Sequence, residues 1–144
     1  MHPASNVALA LAGVFCALAS LHLYWALGAK TPGGAAIPTR SDGQPVFRPG
    51  RAATVAVAMM LFGAAFVILN VGGILAPLGP VMLYRVASFV VGGVLLLRTI
   101  GDFRYVGIFK RERSSRFAQL DSRLYTPLCA ILAAGTFYVA AAQR

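Results

Sequence analysis

Residues 5–27 form the first apolar run of the chain, SNVALALAGVFCALASLHLYWAL, and give the clearest indication of its fold. It contains no Asp, Glu, Lys or Arg. Its length matches the roughly 20 apolar residues that a helix needs to cross a bilayer. A strand of a membrane β-barrel would instead alternate polar and apolar residues. The run therefore predicts a membrane-spanning helix.

Three further apolar runs of helical length follow, at approximately 52–75, 81–100 and 124–142. The whole chain is 58% hydrophobic and 12% charged, with a mean hydropathy of +0.73. So few charges cannot cover a water-soluble domain. We therefore predict an all-α membrane protein, a four-transmembrane-helix bundle in which residues 1–144 form a single transmembrane domain.

The connection between the first two runs, residues 28–51, is rich in Gly and Pro and cannot be helical. Its Asp42-Gly43 pair, within residues 41–44, is typical of a hairpin turn. Prolines on both sides weaken the flanking strands. We expect a small hairpin or an ordered loop there.

The positive charges are distributed unevenly along the chain. Of the 13 Lys and Arg residues, all but Arg85 and Arg144 fall in or beside the first and third loops, residues 28–51 and 101–123. The positive-inside rule then places both loops in the cytoplasm and both termini outside, which we expect to be at a bacterial inner membrane. This bias, rather than binding to nucleic acid, accounts for the net charge of +9.

Polar residues gather where three predicted helices end at the cytoplasmic side. The candidate ligand-binding residues are His22, Trp25, Arg98, Asp102, Arg104, Tyr105 and Tyr125, and the candidate catalytic residues are His22, Asp102 and Asp121. Because these helix ends share one side of the bilayer, we predict a single polar pocket at the cytoplasmic leaflet.

Within this pocket, the spacing of Arg98 and Asp102 at i,i+4 predicts an ion pair on one face of the third helix, turned towards His22. A histidine inside a span is either a structural hydrogen-bonding group or a proton donor or ligand anchor, and both roles stay open. Asp121 is expected either to cap the fourth helix or to meet an arginine across the bundle, and Pro127 to fit that helix's first turn.

Three motifs, in this order, resemble the bacterial family named domain of unknown function 3995. They are Ser20-x-His22-x-Tyr24-Trp25-Ala26, then Arg98-x-x-Gly101-Asp102-Phe103-Arg104-Tyr105-x-Gly107-x-x-Lys110, then Phe117-Ala118-x-x-Asp121-x-x-x-Tyr125-x-Pro127-Leu128. The resemblance implies a small four-span membrane architecture with no established activity.

Three functions remain open on the sequence. The first is a binding or accessory protein whose pocket holds an anionic lipid or amphiphile. The second is an intramembrane acid–base enzyme acting on a lipid-like substrate, and the third is a small proton-coupled transporter or channel acting as an oligomer. No nucleophile triad, phosphate-binding glycine motif or metal-ligand spacing is present in the sequence, so we predict no cofactor and no metal. The expected partners are membrane lipids and a further copy of the chain or a larger membrane complex, but not nucleic acid.

Overall fold

The computed structural model describes residues 2–29, 35–40 and 42–142. This part of the chain folds into four long helices, and each is long and apolar enough to cross a membrane. They are α1 (Pro3–Ala26), α2 (Arg51–Val71), α3 (Val81–Ile100) and α4 (Arg116–Ala142). The predicted all-α architecture with four spans is confirmed.

The helices form a bundle in which neighbours in sequence are also neighbours in space. Helix α1 packs against α2 and α4, and α3 packs against α2 and α4. Helices α1 and α3 lie on a diagonal and do not contact each other. Successive helices run antiparallel and pack side by side, as in an up-and-down four-helix bundle.

Small residues allow α1 and α2 to pack closely. Ala8 and Ala12 on α1 are buried, as is Ala65 on α2. A Cβ added at Gly72 would lie only 2.3 Å from the Cβ of Ala8. The Ser5 hydroxyl also donates to the Gly72 carbonyl at 2.8 Å. Such close backbone approach is how helices associate where the surroundings are as apolar as the helices themselves.

The outward faces of the helices are apolar. The side chains exposed there include Met59, Met60, Leu83, Val90, Leu97 and Ile131. A water-soluble monomer rarely exposes so continuous an apolar surface, whereas lipid tails solvate it readily. The distribution of side chains thus agrees with the hydropathy of the four helices.

Two helix ends differ from the prediction. Helix α2 ends at Val71, because Gly72 and Gly73 turn the chain and Gly73 has a φ of +70°. Helix α4 begins at Arg116, well before the predicted residue 124, because the Ser115 hydroxyl accepts the Ala118 N–H at 3.1 Å and caps it. The expectation that Asp121 caps this helix is wrong.

One π-helical turn, Asp121–Tyr125, interrupts α4. Pro127 follows it inside the helix, not in the first turn as predicted. A proline in a helix has no N–H for the carbonyl four residues earlier, and its ring crowds that carbonyl. The wider π turn relieves this conflict, and it holds Asp121 in the interior of the protein.

The first loop contains an isolated antiparallel bridge between Thr39 and Pro45, and no strand forms in its described part. Arg40 N–H donates to Gln44 O at 2.8 Å, and Gly43 takes a φ of +80°. Ser41, the first residue of the predicted turn, and residues 30–34 lie outside the described residues.

Candidate functional site

A buried carboxylate, Asp121, is the centre of the polar end of the bundle. Its Oδ1 accepts from Arg98 Nη2 at 2.6 Å. Its Oδ2 accepts from Lys110 Nζ at 2.9 Å, from the Gly107 N–H at 2.9 Å and from Thr126 Oγ1 at 3.1 Å. The side chain has no solvent exposure. Four donors from α3, the third loop and α4 replace the water that this carboxylate lost on burial.

Two cations share this one carboxylate. Lys110 is only 3% exposed, and its ammonium also donates to Gly107 O at 3.1 Å. The Arg98 side chain is partly exposed, but its Nη1 atom is buried and finds no partner among the described residues. The group of Asp121, Arg98 and Lys110, which we call the Asp121 cluster, therefore carries a net charge of +1. A partly buried excess of positive charge attracts anions.

Two glycines bring the third loop close enough to reach Asp121. Gly101 has a φ of +92° and Gly107 a φ of +86°, which glycine adopts far more easily than other residues. A Cβ at Gly101 would lie 1.8 Å from the Val106 carbonyl oxygen, and one at Gly107 would lie 2.5 Å from the Gly101 Cα. The backbone segments touch, and this contact directs the Gly107 N–H to Asp121.

Asp102 organises the same loop from within. Its Oδ1 accepts the backbone N–H groups of Arg104, Tyr105 and Val106 at 2.9, 2.6 and 3.0 Å. Burial raises the pKa of Asp102, but these backbone hydrogen bonds outweigh it and hold that pKa below its usual value. Phe103 takes a φ of 61° in this turn, and its ring stacks on Phe109 with 6.1 Å between centroids.

An open groove of about 680 Å³ lies between the first and third loops. It is lined by Arg40 from the first loop and by residues 102–105, 111 and 112 of the third. The Arg104 guanidinium lies 5.2 Å from the centroid of the Tyr105 ring, within cation–π distance. We call this feature the arginine groove, after Arg40, Arg104 and Arg111.

The two carboxylates in the arginine groove are bonded to other groups. Asp102 accepts the three backbone N–H groups described above. Glu112 Oε1 accepts from the hydroxyl and, at 2.9 Å, from the backbone N–H of Ser114. Both hydrogen bonds lower the pKa of Glu112, and the one from the Ser114 hydroxyl has the larger effect. Across the described residues, both ion pairs involve Asp121, so the groove arginines have no carboxylate partner.

The predicted ion pair between Arg98 and Asp102 is wrong. Helix α3 ends at Ile100, so the i,i+4 spacing no longer places Asp102 on the helix face of Arg98. Arg98 bonds to Asp121 across the bundle, which the sequence analysis had left as the second possibility for Asp121.

The described contacts of His22 and Trp25 lie within α1. The Nδ1 of His22 forms a hydrogen bond with the Leu18 carbonyl oxygen at 2.7 Å, and its ring meets the Trp25 ring edge to face at 5.2 Å. No described hydrogen bond joins His22 to Arg98, and the orientation of the α3 face towards His22 stays a prediction. The hydrogen bond of His22 within its own helix agrees with the structural role considered above, and a role as proton donor or ligand anchor stays a prediction.

The remaining predicted residues divide between the two features. Asp102, Arg104 and Tyr105 line the arginine groove, whereas Asp121 and Arg98 belong to the buried cluster. The Tyr125 hydroxyl donates to Ala35 O at 3.0 Å and so ties the first loop to α4. That these residues bind a ligand stays a prediction.

Three functional candidates escaped the sequence analysis: Lys110, Arg40 and Arg111. The sequence predicts Lys110 and Arg111 only as part of a basic juxtamembrane segment that binds anionic headgroups, and Arg40 only as a charge that orients the protein in the membrane. Lys110 stands in the quoted motif, three residues after Gly107, and this spacing next to a close-packed glycine was the available indication of its burial. Nothing in the sequence connects Arg40 with Arg111.

Among residues 2–29, 35–40 and 42–142, no three His, Cys, Asp or Glu side chains group closely enough to hold a metal ion.

Residues 15–136 match the family described as Protein of unknown function (DUF3995). The chain belongs to this family. The match includes every residue of the Asp121 cluster and of the arginine groove, so both features of this DUF3995 protein lie inside the family's region. No curated protein and no solved structure matches the chain.

Proposed function

We infer that this DUF3995 chain is a membrane binding or accessory protein whose arginine groove holds the headgroup of an anionic lipid or amphiphile. One observation carries the proposal. Arg40, Arg104 and Arg111 line one open groove, and no carboxylate among the described residues pairs with them. Guanidinium groups are well suited to phosphate and carboxylate, because their planar donors match two oxygens at once.

The position of the groove favours a ligand that is also a membrane component. It lies at the end of α3, where the chain leaves the apolar part of the bundle. Phe103 lines it and stacks on Phe109, and both rings are more than half exposed. An amphiphile places its charged head among arginines while its tail contacts such rings. Free anions would not need the aromatic pair.

The orientation proposed from the positive-inside rule puts the groove at the cytoplasmic leaflet of an inner membrane. The Tyr125 bond to Ala35, and Arg40 beside the third loop, support one common side for the first and third loops. The inner leaflet supplies anionic headgroups, to which each nearby arginine adds about 1 kcal/mol of attraction.

The proposal is tested with the full chain in nanodiscs of phosphatidylcholine containing increasing phosphatidylglycerol. Native mass spectrometry counts the phosphatidylglycerol molecules that remain bound. Arg40→Gln and Arg111→Gln should each weaken retention about fivefold, the equivalent of about 1 kcal/mol. Equal retention of the two lipids by the unaltered chain would contradict the proposal.

The matched control is Arg85→Gln. Arg85 lies on α3 near its start, at the opposite end of the helix from the groove. The Arg85→Gln variant loses the same charge as the groove variants and should retain phosphatidylglycerol as well as the unaltered chain does. If it weakens retention as much as Arg111→Gln does, the effect comes from net charge and the groove is not the site.

A further inference from the structure

A second and smaller cavity, of about 210 Å³, lies beside the Asp121 cluster. It is lined by Gly107, Ile108, Lys110, Arg113, Ser122 and Thr126. None of these residues lines the arginine groove. The cavity is thus a separate feature, formed by the third loop and the π turn of α4.

The lining contains two cations and no carboxylate. The Lys110 ammonium uses two of its three hydrogens, on Asp121 and Gly107, and keeps one for another acceptor. Arg113 is exposed and bonds through Nε to Lys110 O at 3.5 Å, which leaves the two terminal nitrogens of its guanidinium available. Counted together, Arg98, Lys110, Arg113 and Asp121 give this region a net charge of +2.

We propose that this cavity binds a phosphate group, held by the Lys110 ammonium, the Arg113 guanidinium and the Ser122 hydroxyl. The Ser122 side chain has no hydrogen-bond partner among the described residues, so its hydroxyl proton is available. A bound anion would balance the net charge of +1 that Arg98, Lys110 and Asp121 leave in a partly buried place. Phosphate offers several oxygens to these separate donors, whereas a halide offers one atom.

The size of the cavity limits what enters it. Its volume is several times the about 30 Å³ that a water molecule occupies in the liquid. It is smaller than the pockets of about 300–1,000 Å³ that enclose drug-sized ligands. A phosphate group fits, and a whole diacyl lipid does not. The phosphate is therefore either inorganic phosphate or the phosphodiester of a lipid whose tails stay outside.

The experiment uses the full chain carrying Arg40→Gln and Arg111→Gln, so that the arginine groove does not contribute. Inorganic phosphate is titrated calorimetrically into this chain in phosphatidylcholine nanodiscs. Adding Arg113→Gln should weaken phosphate binding about tenfold, as expected for loss of one charge-assisted hydrogen bond. Ser122→Ala, which cannot unfold the loop through a lost charge, should weaken it several-fold.

The matched control is Arg123→Gln, an exposed arginine of the same π turn that does not line the cavity. It should leave the affinity for phosphate unchanged. A second arm replaces the free anion with nanodiscs containing phosphatidylglycerol, and native mass spectrometry counts the lipid retained.

The outcomes separate the two sources of phosphate and the two sites. Saturable binding of inorganic phosphate that depends on Arg113 and Ser122 assigns the site to the free anion. Lipid retention that depends on them, without binding of inorganic phosphate, assigns it to a lipid phosphodiester. If neither arm responds to Arg113→Gln or Ser122→Ala, the proposal is overturned, whatever the groove variants show.

Discussion

At the scale of single residues, Asp121 has the most demanding position in this protein. The chain has four acidic residues, and this one is fully buried between two cations. Removing one partner of a buried ion pair leaves the other charges unpaired, which costs about 3–5 kcal/mol. The carboxylate is therefore needed by the fold itself.

Asp121→Asn should lower the free energy of unfolding by about 3–5 kcal/mol. The asparagine fills the same space but leaves the charges of Arg98 and Lys110 without a counter-ion. Reversible unfolding in mixed micelles measures the change. A loss below about 1 kcal/mol would show that water already screens the cluster.

Arg98 should be coupled to Asp121 and not to Asp102. Arg98→Gln combined with Asp121→Asn should destabilise the protein by clearly less than the sum of the single changes. Arg98→Gln combined with Asp102→Asn should be additive within about 0.5 kcal/mol. The reverse pattern of coupling would contradict the ion pair that the structure contains.

Asp102 should make the stability of the protein sensitive to acid. Its folded-state pKa lies below the usual value, so its contribution is fully present above about pH 4 and is lost as the pH falls through the folded-state pKa. Asp102→Asn keeps an oxygen acceptor and removes the titration. Melting temperatures between about pH 5 and pH 2 should therefore fall less steeply in the variant. An identical pH dependence would show that the carboxylate titrates as it does in the unfolded chain.

At the scale of elements, the third loop is held by the contact between Gly101 and Gly107. Both residues combine a positive φ with the absence of space for a Cβ. Gly43 also has a positive φ, of +80°, but nothing lies within 4 Å of its missing Cβ. Alanine at Gly43 would therefore suffer only from the positive φ, whereas alanine at Gly101 or Gly107 would also collide with the neighbouring backbone.

Gly43→Ala should lower the free energy of unfolding by about 1 kcal/mol, because alanine is strained in the left-handed conformation. Gly101→Ala and Gly107→Ala should each cost more than about 2 kcal/mol, because the touching backbones must also move apart. Unfolding in micelles checks the difference. Equal losses at the three positions would mean that crowding in the third loop is relieved without cost.

The elements also show how far local patterns reach. Hydropathy located all four spans and both ends of α3. It placed the start of α4 too late, because residues 116–123 are polar and helical at the same time. The sequence offers two indications of the earlier start, a serine in a capping position and Pro127, whose ring conflicts with a regular helix interior and is preceded here by the π turn.

At the scale of the whole molecule, the first and third loops share one end of the bundle and the second turn lies at the other. We expect the loop end to face the cytoplasm. Cysteines placed at Gln44 and Ser114 should then react with an impermeant maleimide only from the cytoplasmic side, and one at Leu78 only from outside. All three positions are exposed.

The native Cys16 and Cys129 are free thiols inside two of the spans and are first replaced by alanine. The chain without cysteine is the control and should not react from either side. Labelling of Gln44→Cys from outside would show that the orientation is the opposite of the one proposed, with the arginine groove at the other leaflet.

The four membrane spans, most of their ends, and the gathering of the basic residues in the first and third loops could all be predicted from the sequence. These properties depend on local apolar content and on the alternation of direction from helix to helix, both of which can be followed along the chain. The partners of the charged side chains could not be predicted, because they depend on how the helices pack. Arg98 forms its ion pair with Asp121 and not with Asp102, because α3 ends at Ile100 and the π turn holds Asp121 in the interior. An ion pair forms where side chains meet in space, and the chain folds so that Arg98 of α3 meets Asp121 of α4, 23 residues away in sequence.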